Sequence, residues 1–409
     1  MQGHQDVSAR VTDILKSSLN GRNTFKAINT FAVPVLTYTF GVIKWSETEL
    51  ENILRRTRVL LTKYRALHPK SAVERLILPR CRGGRGLVDI AWLHQKQVNK
   101  LQLYFHAQNS HLHRIVAEAD RRYTPLDLHY VNPGELGSDE ERINNTIELW
   151  SEKQIHGRHA YDLQRPYVDE EASNAWLQNG GIFLETEGFM VAIQDQVIAT
   201  KNYLKHIVKA EVETDKCRRC QLTSETIQHI TGACQSLAAS DYLKRHNNVA
   251  KIIHLALLKK YQINETAVPY YQYTPDPVRE NETHKLYWDR SVLTDRPIVS
   301  NRPDLILVNK LQKRTFLIDI GIPNSHNMEY YYNEKVTKYL PLAAEIKDLW
   351  RQEDVIILPL IISTTGIIPK TLANNLQQLG LPLAVRNQMQ KAVILDTTST
   401  VRSFLNVHI

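Results

Sequence analysis

Apolar positions recur at helical spacing through the first ~125 residues, whereas from about residue 267 they gather into short continuous runs. Ser46-Glu-Thr-Glu49 spells a capping box, with Trp45 and Leu50 placed as a hydrophobic staple. The helix that follows puts Leu50, Ile53, Leu54, Thr57, Leu61 and Tyr64 on one face and Arg55, Arg56, Arg58 and Lys63 largely elsewhere. Asn132 to Arg142 is polar and acidic and reads as a linker; Trp150 to Lys209 is mixed and partly helical, with Gly180-Gly181 as punctuation. The runs Leu305–Val308, Thr315–Ile320 and Val355–Ser363 have strand length and composition. A polar hairpin containing Gln312-Lys313-Arg314 separates the first two, and a long helical stretch precedes the third. This predicts two paired strands, a helix and a third strand, a small α/β domain covered by a closing helix over Arg386–Leu405. The fold class is α+β multidomain: a basic helical domain over 1–125, a linker over 126–210, a cysteine-rich knuckle and helix over 211–266, and the α/β domain over 267–409.

At 409 residues the chain exceeds what one core usually serves. Its +8 charge is uneven: residues 55–122 hold fifteen Lys or Arg against four Asp or Glu, a local +11, which leaves the remainder at −3. A concentrated basic stretch suits a polyanion, since phosphate contacts release counterions; the plainer reading is a solvated helix face. The loop Arg80-Cys-Arg-Gly-Gly-Arg-Gly86 lacks the Gly-Lys-Ser/Thr ending of a phosphate-binding P-loop. It reads either as a turn whose Arg80, Arg82 and Arg85 meet phosphate or as a plain inter-helix turn. The strictly apolar runs are too short to span a bilayer, and the N-terminus has no secretory core.

Of four cysteines, three lie within eighteen residues: Cys217-x2-Cys220-x8-His229-x4-Cys234. Three thiolates and an imidazole at this spacing suit tetrahedral Zn²⁺, whose binding folds a segment short of core residues. The plainer reading is a chance grouping. Arg218 and Arg219 within the knuckle suit a nucleic-acid contact, and the cysteine usage suits a reducing compartment.

Asp304 opens one apolar run and Asp319 interrupts another. A carboxylate in an apolar strand is costly unless paired or metal-bound. A hairpin brings both to one sheet end, where they can hold Mg²⁺ for water activation and phosphodiester polarisation. Gly321 stands two residues after Asp319, where a lysine usually serves such a site; Lys335, Lys338 and Tyr339 on the next helix share one face and can replace it. The plainer reading is two ion-paired aspartates beside a solvated lysine helix. Pro341 falls within that helix and is expected to bend it.

At these residues the chain resembles one family. His284-Lys-Leu-Tyr-Trp-Asp-Arg, Asn301-Arg-Pro-Asp304, Leu317-Ile-Asp-Ile-Gly-Ile-Pro323 and Glu334-Lys-Val-Thr-Lys-Tyr339 look like the restriction-like endonuclease of site-specific non-LTR retrotransposons. In those polyproteins a Cys-Cys-His-Cys knuckle precedes the nuclease, as Cys217, Cys220, His229 and Cys234 do here. Ile28-Asn-Thr-Phe-Ala-Val-Pro-Val-Leu-Thr-Tyr and His68-Pro-Lys-Ser-Ala-Val-Glu-Arg-Leu-Ile-Leu-Pro-Arg80 resemble the thumb behind their reverse-transcriptase palm. His156-Gly-Arg-His159, Ser173-Asn-Ala-Trp176 and Ile193-Gln-Asp-Gln-Val197 resemble their linker, so the likeness runs colinearly over nearly the whole chain. The resemblance implies a protein that nicks one DNA strand so that the freed 3′-hydroxyl primes copying of the element's RNA; the reducing compartment read from the cysteines is nucleus or cytoplasm, and the nucleus is expected. It implies Asp304 and Asp319 as Mg²⁺ ligands, Lys335 and Lys338 as catalytic or phosphate-positioning lysines with Tyr339 beside them, and Arg302 on DNA.

The chain contains no Asp-Asp dipeptide, hence no aromatic-x-Asp-Asp polymerase signature. The reading is a truncated copy, gene-model fragment or host-retained piece that nicks DNA but does not polymerise it. The alternatives are a non-catalytic nucleic-acid-binding remnant, using the 55–122 surface and the knuckle, and a zinc-braced interaction protein.

Overall fold

Val7, Val11 and Leu15 bury one stripe of helix α1 (Gln2–Leu15) in the computed structural model, which describes residues 2–131, 134, 136–263 and 268–406. Helix α2 (Glu47–Lys63) starts at the capping box: the Glu49 amide donates to Ser46 Oγ at 3.3 Å, and Glu49 Oε2 accepts from the Ser46 amide at 2.9 Å. It buries Leu50, Ile53, Thr57 and Leu61, the face the spacing predicts, and leaves Arg55 and Arg56 exposed. Helix α3 (Ile90–Ala107) is capped by Asp89, and α4 (Asp139–Ser151) by Ser138. Residues 139–142, expected in the linker, are therefore the first turn of α4, where three acidic side chains favour the positive end of the helix. Part of the expected linker, at 132, 133 and 135, lies outside the described residues.

After α5 (Glu170–Asn179), helix α6 (Leu184–Gln194) and its C-cap Asp195 supply the carboxylates of a buried ion-pair set. Arg75 reaches Asp195 at 2.9 Å and Gln194 Oε1 at 2.7 Å. Arg80 and Arg85 share Glu187, at 3.0 and 2.6 Å. A Cβ on Gly21 would stand 2.3 Å from Glu187 Oε2, so only glycine leaves room for this carboxylate. The chain divides into two compact units, residues 1–160 with 181–197 and residues 161–180 with 198–409. The expected 1–125 segment lies in the first and 211–409 in the second, while 126–210 contributes to both. Helices make up 55% of the described residues.

The second unit includes α7 (Ile227–Gly232) and α8 (Leu243–Lys260), followed by β1 (Val278–Glu280), β2 (His284–Trp288), β3 (Leu305–Asn309) and β4 (Arg314–Gly321). Helix α9 (Met328–Leu349) crosses to β5 (Asp354–Ile361), and α10 (Lys370–Gln378) and α11 (Leu383–Leu405) close the unit. The sheet order is β1-β2-β3-β4-β5, antiparallel except for the parallel β4–β5 pair. Strands β3, β4 and β5 and helix α9 stand where the apolar runs predict them; the short hairpin partners β1 and β2 extend the sheet beyond the expected three strands.

Alternation sorts the strands. Leu305, Leu307, Phe316, Ile318 and Ile320 face a core built with α8, α10 and α11. Ile306, Val308 and Leu317 face Tyr339, Leu342 and Ile346 of α9. Pro341 lies within α9 on its exposed side, where the acceptor it leaves unbonded can be hydrated.

Candidate functional site

In the knuckle, a turn returns the chain so that the Cys217 amide donates to Thr223 O at 2.8 Å and Lys216 pairs with Ser224. Thr226 caps α7, which carries His229. The ligand atoms of Cys217, Cys220, His229 and Cys234 all lie within 4.8 Å of one another. Cys217 Sγ is 3.8 Å from Cys234 Sγ, and Cys220 Sγ is 3.4 Å from His229 Nε2. Two sulfurs ~2.3 Å from one zinc at the tetrahedral angle stand about 3.8 Å apart, so the spacing fits. Thr223 Oγ1 lies 3.0 Å from His229 Nδ1, which orients the ring with Nε2 toward the thiols. Burial holds His229 below its ordinary value and pushes the Cys217 thiol up to about 11. The cluster can bind a metal ion such as zinc.

The carboxylates meet by register. Leu305 pairs with Ile318, so one step further along the ladder Asp304 stands opposite Asp319. Asp319 shares the face of Leu317, toward α9, whereas Asp304 stands just before β3 and turns to His246 on α8 and the Ile320 amide. Asp319 is buried; Tyr339 Oη donates to its Oδ1 at 2.7 Å, and Lys335 Nζ makes a close ion pair with its Oδ2. Asp304 Oδ2 accepts from the Ile320 amide at 2.6 Å and lies 3.1 Å from His246 Nε2. Burial works to raise Asp304, but the His246 bond and charge, the Ile320 amide and Lys335 outweigh it and hold the carboxyl below its usual range. His246 is raised: burial opposes its charge, and the bond to Asp304 prevails. Burial, then the Asp319 charge and hydrogen bond, push the Tyr339 hydroxyl far up.

Lys338 is exposed, with Nζ 3.2 Å from the Tyr339 oxygen and 4.6 Å from its ring centroid. Tyr339 itself is 1% exposed. It is expected among the catalytic residues, yet it cannot touch a substrate from there; it orients Asp319.

The nine arginines expected at nucleic acid divide. Arg55 and Arg56 are exposed and Arg58 is half-buried on α2. Arg82 is partly exposed and pairs with Glu140 at 3.1 Å. Arg85 is a correction: it is 1% exposed, donates to Glu187 and to Ala66 O, and stands over the Phe25 ring. Arg80 is likewise a correction, since both its terminal nitrogens reach Glu187 at 3.0 Å and little of it meets solvent. The glycine loop is thus a structural turn. Arg218 is a third correction: its guanidinium and amide grip the fully buried Glu225, from 2.8 Å, and its last nitrogen reaches Leu405 O. Arg219 is half-buried with its guanidinium 5.3 Å from the Phe404 ring centroid. Arg302 is exposed and paired with Asp289 at 2.6 Å.

Sequence reasoning missed His246. It lies 58 residues before Asp304 on another helix, and no local pattern marks it.

No protein-family model matches the chain, and no curated protein matches it. Among the described residues no helix is long and apolar enough to cross a membrane.

Proposed function

We propose that the second unit is a Mg²⁺-dependent endonuclease that nicks DNA, of the kind the retrotransposon resemblance implies, with the nucleus as its place of work. One observation supports the reading: Asp304 and Asp319 stand at the same end of the β3–β4 ladder, with Lys335 paired to Asp319 and its charge also felt by Asp304. Hard carboxylate oxygens are the donors Mg²⁺ takes, and it keeps waters when few protein ligands hold it. Asp304 and Asp319 would hold the ion, which when bound supplies an activated water and polarises the phosphodiester. Tyr339 holds Asp319 in position. Lys335 is the cation nearest the pair and neutralises charge beside it; exposed Lys338 is placed to meet a backbone phosphate, as is Arg302 once it exchanges Asp289 for DNA. Arg55, Arg56 and Arg58 supply sequence-independent attraction to DNA and to RNA. The knuckle takes Zn²⁺ as a structural ion.

Incubation with supercoiled plasmid tests this. Mg²⁺-dependent conversion to the nicked form, abolished by Asp304→Ala and by Asp319→Ala, is expected. Retention of DNA without nicking, in both Mg²⁺ and Mn²⁺, would leave only the nucleic-acid-binding remnant.

A further inference from the structure

The two candidate centres are joined through the first turns of α8. Tyr242, Arg245 and His246 stand at i, i+3 and i+4, so they share one side of the helix. Tyr242 Oη accepts from the Cys234 amide at 3.1 Å and donates to Ile230 O at 2.7 Å; the His229 carbonyl lies 3.1 Å from it. Arg245 donates to Thr231 O at 2.8 Å and to Thr397 Oγ1 at 3.0 Å. It is 2% exposed, makes no salt bridge among the described residues, and is favoured by the nearby charges of Asp396 and Asp241. The Thr231 carbonyl is therefore one of the few hydrogen-bond partners of a buried cation, and losing it would be costly. From that anchored turn His246 reaches Asp304 Oδ2, the oxygen that also accepts the Ile320 amide. Asp304 Oδ1 carries no hydrogen bond among the described residues, so the clamp fixes the carboxylate and leaves one oxygen free to ligate.

A second bridge runs from α7 itself. Asn324, between Asp319 on β4 and Lys335 on α9, donates to Gln228 O at 3.2 Å, and its Oδ1 accepts from Thr231 and Thr364. A Cβ on Gly232 would stand 2.9 Å from Asn324 Oδ1, so α7 and this loop fit closely. A Cys-Cys-His-Cys segment obtains much of its folding free energy from its metal. The carbonyls that Tyr242 and Arg245 grip belong to the helix that carries one ligand, His229, and ends just before another, Cys234.

We propose that His246 is a positioning residue for Asp304, and that metal held by the knuckle sets it in place through Tyr242 and Arg245. Loading of the knuckle then governs the geometry of the carboxylate pair. The functional consequence rests on the endonuclease reading; the positional claim does not. It also gives the knuckle work to do although Arg218 is turned inward.

Hydrogen exchange at the Ile320 amide reads the claim without any catalysis, because that amide is protected by Asp304 Oδ2. In zinc-loaded protein, His246→Ala should speed its exchange tenfold or more while leaving the β5 amides of Leu358 and Leu360 unchanged. Chelating zinc from the unsubstituted protein should do the same, and chelation should add little in the His246→Ala protein. Should chelation unfold the whole unit, Tyr242→Phe with zinc bound must still loosen Ile320. An Ile320 amide indifferent to His246→Ala, or to Tyr242→Phe, overturns the proposal. In plasmid nicking, His246→Ala should lower kcat ten- to a hundredfold with KM for DNA within twofold. His246→Gln, which keeps a donor, should recover part of the loss; an unchanged kcat overturns the proposal. A protein that never nicks sinks the endonuclease reading, and the exchange result then decides the role of His246.

Discussion

A Cβ added to Gly321 would lie 2.9 Å from Cε of Lys335 and 2.6 Å from Cδ1 of Ile361. The stem of a lysine from α9 fills the space above a strand glycine. Position 321 is two residues past Asp319, on the same face of β4, so a lysine there would deliver its ammonium to the same carboxylate. The charge arrives from the helix instead, and the glycine is what admits it.

The exchange of positions is testable. Lys335→Ala should reduce nicking at least a hundredfold, and Gly321→Lys in that background should restore a measurable fraction, because the new side chain enters the vacated volume. Gly321→Ala alone should slow nicking about tenfold with little change in Tm, since the displaced atoms are the far ends of flexible side chains. Full activity of Lys335→Ala would remove the amine from the proposed chemistry.

The arginines should separate into two kinds. Arg85→Met breaks a buried pair and should cost about 3 kcal/mol or more in denaturant unfolding of the first unit. Arg55→Ala with Arg56→Ala should leave stability within ~0.5 kcal/mol. The same double variant should weaken DNA retention and reduce the salt slope by about 0.9 for each phosphate no longer neutralised. An unchanged slope would mean that the exposed α2 arginines do not meet nucleic acid.

The knuckle predicts one zinc per chain by metal analysis. Cys217→Ser or Cys234→Ser should abolish stoichiometric zinc and lower the Tm of the second unit. Full stability after exhaustive chelation would show that the four donors do not need an ion.

His254 gives a pH dependence. It is fully buried against Tyr273 and Trp288, with Nδ1 3.0 Å from Tyr273 Oη. Burial, reinforced by Arg279, lowers it to about 4. Its folded value is below its unfolded one, so the unfolded chain takes the proton first and stability falls with acid. The loss begins near pH 6.5, the ordinary histidine value, and reaches about 2 kcal/mol at pH 5 from this group alone. Buried His159 acts in the same direction. Denaturant unfolding at pH 7 and pH 5 should show a smaller drop for His254→Gln than for the unsubstituted protein; equal drops would assign the acid sensitivity elsewhere.

Local signals are legible where local physics decides. The Ser46 box, the apolar face of α2 and strands β3 to β5 all follow from spacing within about ten residues. The arrival of Asp304 and Asp319 at one end of the β3–β4 ladder is legible too, because a hairpin with alternating burial leaves few registers open. The short strands β1 and β2 are hidden, since three to five residues of mixed polarity carry little periodicity. Arg80 and Arg85 read as a surface feature because their counter-ion, Glu187, stands more than a hundred residues away. Arg218 misleads although Glu225 is only seven residues on, because nothing local says which of two neighbouring charges turns inward. His246 depends on the meeting of a helix and a distant strand end, which no spacing records.

The carboxylates Glu187 and Asp195 come late in the chain, yet the cations they satisfy, Arg75, Arg80 and Arg85, come early. As the ribosome extends the polypeptide, those guanidinium groups wait for Glu187 and Asp195 until synthesis passes residue 195. The first unit therefore cannot mature as a simple leading segment. A piece ending at residue 160 would lack both Glu187 and Asp195, so any autonomous version of this half must run on to residue 197.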